Sequence, residues 1–144
     1  KPFSTLNPTT RKTYISDETE ILLSDTVGFI TDLPEDLISS FRATLEEINQ
    51  SDLLIHIVDS AEENFEEKIM SVEDTLIRTK LIDHKRIIIF NKIDLINDDN
   101  LRYLREKFQQ PCVSSLKNMG IQDARSEIEK IVKSSLKNQK VVNL

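Results

Sequence analysis

Asn91, Lys92 and Asp94 stand in the run Ile87-Ile-Ile-Phe-Asn-Lys-Ile-Asp94, and their types and spacing suit recognition of a purine. The Asp94 carboxylate can accept two hydrogen bonds from the adjacent N–H donors on guanine's Watson-Crick edge. Asn91 can reach the purine's acceptor side, and the methylene stem of Lys92 can cover the base plane. Adenine lacks that donor pair. Asp25-x-x-Gly28 offers a carboxylate able to hold a Mg2+ shell through water, and a glycine whose N–H can approach a phosphate with no side chain intervening. Thr5 can supply a hydroxyl to the same metal and a backbone N–H to a terminal phosphate. Ser114-Ser115-Leu116 can present a backbone N–H to the guanine carbonyl. Taken singly, each of these stretches also reads as an ordinary polar turn.

What unites them is where the surrounding elements must put them. The four apolar residues before Asn91 show no polar alternation, as expected of a strand buried on both faces of a parallel sheet. In open α/β sheets ligands bind outside the carboxyl ends of such strands. Asp52–Asp59 reads as a second buried strand ending in a carboxylate. Thr13-Tyr-Ile and Glu20–Asp25, separated by the polar turn Ser16-Asp-Glu, predict an antiparallel hairpin. Helical spacing recurs at Leu37, Phe41, Leu45 and Ile48 in a helix opening at Pro34, with Glu35 and Asp36 in its first turn. It recurs at Phe65, Ile69, Val72 and Leu76, at Leu101, Leu104 and Phe108, and at Ala124, Ile128, Ile131 and Val132. Pro111–Ser115 reads as a last strand and its exit loop. The expected fold is therefore α/β, a doubly wound, mostly parallel sheet with helices on both faces and one antiparallel edge, its polar loops gathered at one end.

Length and composition agree with one domain over residues 1–144. Apolar residues make up 38% and charged residues 31%, and no apolar run approaches the ~18 residues of a membrane span. A net charge of -6 argues against a broad nonspecific grip on nucleic acid. Lys130, Lys133, Lys137 and Lys140 read as a solvated helix face and tail. The single cysteine, Cys112, precludes an internal disulfide, suits a reducing cytoplasm and fits a strand position. His56 reads as a hydrogen-bonded core residue and His84 as part of a polar turn.

In chain order, Thr5, Asp25-x-x-Gly28, Asn91-Lys92-x-Asp94 and Ser114-Ser115 resemble the second to fifth signature motifs of the GTPase superfamily. Phe3–Arg11, Asp25–Pro34, Phe41–Glu47 and Asp52–Asp59 look like the HflX family of ribosome-associated GTPases, a resemblance that runs over nearly the whole chain. It implies GTP and GDP as ligands, Mg2+ as cofactor, GTP hydrolysis as activity, and the 50S ribosomal subunit as partner in rescuing or splitting stalled ribosomes. Three departures stand out. Ser115 replaces the alanine usual in the fifth motif. Phe29 stands where the superfamily often places a water-orienting glutamine, so intrinsic hydrolysis is expected to be slow and to need a group from elsewhere. No Gly-x-x-x-x-Gly-Lys-Ser/Thr phosphate loop occurs in the sequence, so the chain reads as a G domain partial at its N-terminus. The first strand and its loop being missing, Ile21–Ser24 and Leu53–Val58 are expected to lack the neighbour they would share. A second reading, a noncatalytic G-domain-like binding module, is kept beside the enzyme.

Overall fold

The computed structural model describes residues 9–26, 39–135 and 139–144. Its elements are β1 (Thr9–Tyr14), β2 (Glu20–Asp25), α1 (Arg42–Asn49), β3 (Leu53–Asp59), α2 (Phe65–Arg78), β4 (Arg86–Asn91), α3 (Asp98–Phe108), α4 (Ile121–Ser135) and β5 (Lys140–Asn143). The sheet order is β1-β2-β5-β3-β4, and β1 alone runs antiparallel, against β2. This is the mostly parallel α/β sheet with an antiparallel edge that the alternating pattern requires. Among the described residues, no helix is long and apolar enough to cross a membrane.

Alternation along the strands divides the core between the two faces. Leu53 and Ile55 of β3 and Ile87 and Ile89 of β4 pack with Ala124, Ile128 and Val132 of α4. On the other face, Ile48 of α1 and Val72 and Leu76 of α2 meet Leu54, while Ile69 and Leu104 of α2 and α3 meet Val58, Ile88 and Phe90. Phe90 is fully buried, edge-on to Phe65 and tilted against Phe108. The helix ends follow sequence chemistry: Glu66 and Glu67 open α2 and Arg78 closes it, complementing the helix dipole. The Asn97 side chain caps α3 by accepting from the Asn100 N–H at 2.8 Å.

Three expectations need correction. The largest concerns the shared neighbour of β2 and β3, because the slot between them is filled by β5. Val141 and Val142 are both fully buried, one on each face of the sheet, and the Asp52 carboxylate accepts from the Lys140 N–H at 3.1 Å. The Lys140 ammonium, read as part of a solvated tail, meets Glu47 at 2.5 Å. Two β-branched residues are enough for a strand once both faces are covered, but too short a run to announce one. Second, Pro111–Ser115 is not a full strand. Phe90 makes both backbone bonds to it, yet the Gln110 side chain takes the Ile88 N–H at 3.1 Å, and the chain then folds back so that Ser114 pairs with Met119. Third, β3 is not buried throughout, since Ile57 is 43% exposed. The expected helix opening at Pro34, with Leu37, lies outside the described residues, and α1 is described from Arg42.

Candidate functional site

Asp25, Asn143, Asp59 and Asn91 are the last residues of β2, β5, β3 and β4, and the parallel pairing puts all four strand ends on one edge of the sheet. They are not level. Asn143 pairs with Asp25 on one side and with Ile55 on the other, so β3 runs four residues further to Asp59. At the rise of a strand this sets the base-side loops about 13 Å beyond the Asp25 level.

The base-side end is a closed polar network. The chain leaves β4 at Asn91, passes through Lys92 in the left-handed region at φ 66°, and enters a 3-10 turn over Ile93–Leu95. Asn91 holds that bend. Its Oδ1 accepts from the Lys92 N–H at 2.8 Å and from the Ser115 N–H at 3.1 Å, while its Nδ2 donates to the Ser115 hydroxyl at 3.1 Å. The Ser114 hydroxyl, fully buried, donates to Asp94 Oδ1 at 2.7 Å and accepts from the Lys117 N–H at 3.1 Å. One carboxylate oxygen is thereby fixed on a half-buried aspartate. Gly120 makes the facing loop possible: at φ 70° an added Cβ would stand 2.4 Å from the Cys112 carbonyl oxygen. Asn91, Lys92, Asp94, Ser114 and Ser115 are therefore brought together. The role of the two serines differs from expectation. The Ser114 N–H is taken by the Met119 carbonyl at 2.9 Å, so Ser114 acts through its hydroxyl. The Ser115 N–H meets an exposed side-chain oxygen that a ligand carbonyl can displace.

Two residues that sequence reasoning left out of the site support this loop from β3. The Lys92 ammonium meets Asp59 Oδ2 at 2.9 Å. The Ser60 N–H and hydroxyl both donate to the Asn91 carbonyl, at 3.1 and 2.7 Å. The hydrogen bond from Lys92, and after it the Ala61 N–H, hold the Asp59 carboxyl below the usual range against a burial effect of opposite sign. The same pairing raises Lys92. The available signal was that two adjacent parallel strands each end in a polar residue, Asp59 beside Asn91 in register.

Thr5, Gly28 and Phe29 lie outside the described residues, so of the residues expected near a phosphate only Asp25 is described. Its Oδ1 accepts from Asn143 Nδ2 at 3.1 Å, and the Asn143 carbonyl accepts from the Thr26 N–H and hydroxyl at 3.2 and 2.9 Å. Asn143 Oδ1 is buried with no hydrogen-bond partner. Carboxylate and amide oxygens are the donors a hard cation such as Mg2+ takes, so the residues here fit that ion in kind. Among the described residues, no group of three or more His, Cys, Asp or Glu side chains is placed to hold a metal. A cavity of about 800 Å³ lies elsewhere, along α1 from Arg42 to Asn49 and against the end of α2 at Arg78 and Lys80.

His56 is half-buried, and its buried Nδ1 has no hydrogen-bond partner, contrary to expectation. Burial first and then the nearby Arg86 guanidinium pull its pKa down to about 4, with Glu73 acting the other way. It stands three residues before the strand end and takes no part in the site. His84 has Nδ1 3.2 Å from the Leu81 carbonyl and Nε2 3.0 Å from that of Asn49, tying the turn after α2 to the end of α1.

Comparison with known proteins decides the family. The family described as 50S ribosome-binding GTPase matches residues 1–92. The chain belongs to that GTPase family. Among its curated relatives, the GTPase HflX of Caldanaerobacter subterraneus subsp. tengcongensis is 46% identical over 67% of this chain and 22% of its own. That of Escherichia coli is 38% identical over 76% of this chain and 26% of its own, and that of Lacrimispora saccharolytica 36% over 98% and 32%. The HflX-type reading of the sequence stands on these matches. This GTPase-family chain spans between about a fifth and a third of the length of these relatives.

Proposed function

We propose that this domain binds GTP and GDP through the guanine base, and that the full-length protein hydrolyses GTP to GDP and phosphate with Mg2+, in the cytoplasm and in association with the 50S ribosomal subunit. The observation that carries the reading is the fixing of Asp94. With Oδ1 held by a buried serine and the loop held by Asn91, the carboxylate is preset to accept from paired N–H donors. A preset acceptor loses little freedom on binding, and one left unpaired by adenine is costly. Asp25, acting through water, and Thr5 would hold the metal, which when bound supplies positive charge to the phosphate oxygens. Ribosome association rests on the family description and on the HflX relatives. Phe29 has no hydrogen-bonding group with which to orient water, which is why the reading requires a stimulating group from outside the domain.

Competition binding of GTP, ATP and XTP to the full-length protein tests the base site. GTP is expected to win over ATP, and Asp94→Asn to shift preference towards XTP, because an amide donates where the carboxylate only accepts. ATP competing as well as GTP against the unmutated protein would remove the assignment.

A further inference from the structure

Asp59 has no role in the reading above, yet its carboxylate is the fixed point of the base loop. Oδ1 accepts from the Ala61 N–H at 3.0 Å, which orients the group, and Oδ2 receives the Lys92 ammonium at 2.9 Å. The sheet order makes that contact directional. β3 lies between β4 and β5, so a lysine reaching from the end of β4 to the end of β3 lays its stem across the edge from the base side towards the phosphate side. Left alone, the four-carbon stem on an exposed loop samples many rotamers. Its backbone is the left-handed bend of a non-glycine residue, a conformation that persists only where the surroundings over-determine it.

The pair does not look built for stability. The side chains are 52% and 26% exposed, and a solvated ion pair of that kind contributes little to folding. Its effect is to remove rotamers from the one side chain that the base must lie against. Ser60 does the corresponding work on the backbone by clamping the Asn91 carbonyl. We propose, resting on the guanine reading above, that Asp59 is a positioning residue for nucleotide binding: it holds Lys92 extended along the strand ends so that the methylene stem is already in place as one wall of the base site.

The test is a double-mutant cycle on the full-length protein, with dissociation of a fluorescent GDP and competition by ADP as readouts and a thermal melt beside each. Asp59→Asn is expected to speed GDP release on the order of tenfold and to narrow the GDP-over-ADP preference, with the melt almost unmoved. Asp59→Glu, which keeps the carboxylate, is expected to recover most of that loss. Lys92→Ala is expected to weaken GDP at least as much, and the double variant no further, since the carboxylate acts only through the lysine. Unchanged GDP release in Asp59→Asn, or a loss adding in full to that of Lys92→Ala, overturns the proposal. So does a lowered melting temperature that accounts for the whole loss. If the unmutated protein shows no preference for GDP over ADP, the base-site reading falls and this inference with it.

Discussion

The two halves of the sheet use their side-chain cross-links differently. β3 and β4 pair over six residues, from Leu54 with Arg86 to Asp59 with Asn91, and beyond their ends side chains cross-link the loops. β5 pairs over four residues with β2 and three with β3, and it is seated by burial, one valine on each face, together with side-chain contacts at its ends, Asp52 and Glu47 to Lys140 and Asp25 to Asn143. Side-chain cross-links fix the loops beyond β3 and β4, whereas at β5 they tie the strand itself to β2, α1 and the start of β3 around two buried valines. The strand-end amides differ too: at the end of β4 the amide of Asn91 is engaged at both Oδ1 and Nδ2, while at the end of β5 Asn143 Oδ1 is buried with no partner.

Substitution in β5 gives the largest expected effect. Val142→Asp would place a carboxylate among the apolar side chains of Ile48, Leu54 and Leu76. Loss of cooperative thermal unfolding is expected, since an unpaired charge in a core costs more than the usual margin of a single substitution. Ile57→Asp, on the neighbouring strand but 43% exposed, is expected to change stability by no more than about 1 kcal/mol. Similar melts for the two variants would show that β5 is not seated between β2 and β3.

A smaller effect separates the halves by pH. His56 belongs to β3, and its folded pKa of about 4 lies below its ordinary 6.5. The unfolded chain therefore binds more protons between these values. Stability is full above pH 6.5 and falls as pH drops towards about 4, by on the order of 3 kcal/mol. Denaturant titrations across that window should show the slope, and His56→Gln should flatten it. A slope unchanged in that variant would place its origin elsewhere.

The smallest effect belongs to the β5 side. Burial tends to raise the Glu47 carboxyl, but the Lys140 ammonium and the Ser24 and Thr10 hydroxyls together bring it below its ordinary 4.5. Its contribution is present above pH 4.5 and is lost as pH falls through the lowered value. Lys140→Met is expected to cost about 1 kcal/mol at neutral pH and to weaken the acid dependence below 4.5, leaving the His56 window as it was. Equal acid dependence in parent and variant would show the Glu47 pair to be inert.

Apolar runs placed β2, β3 and β4 and three-to-four spacing placed α2, α3 and α4, and the polar loops after β4 and β3 were visible as strand ends. Asn91, Lys92, Asp94, Ser114 and Ser115 were legible as a group because their residue types carry the chemistry at short range. The tertiary structure alone decided which strand lies beside which. Nothing in Lys140–Asn143 announces a central strand, because its partners Asp52 and Asp25 are 88 and 118 residues distant along the chain. Nor did Asp59 show its partner, because a carboxylate at a strand end meets Lys92 only when two strands 33 residues apart align in register. Local patterns record which face of an element is apolar, while pairing across such distances depends on which faces remain uncovered after the other elements have packed.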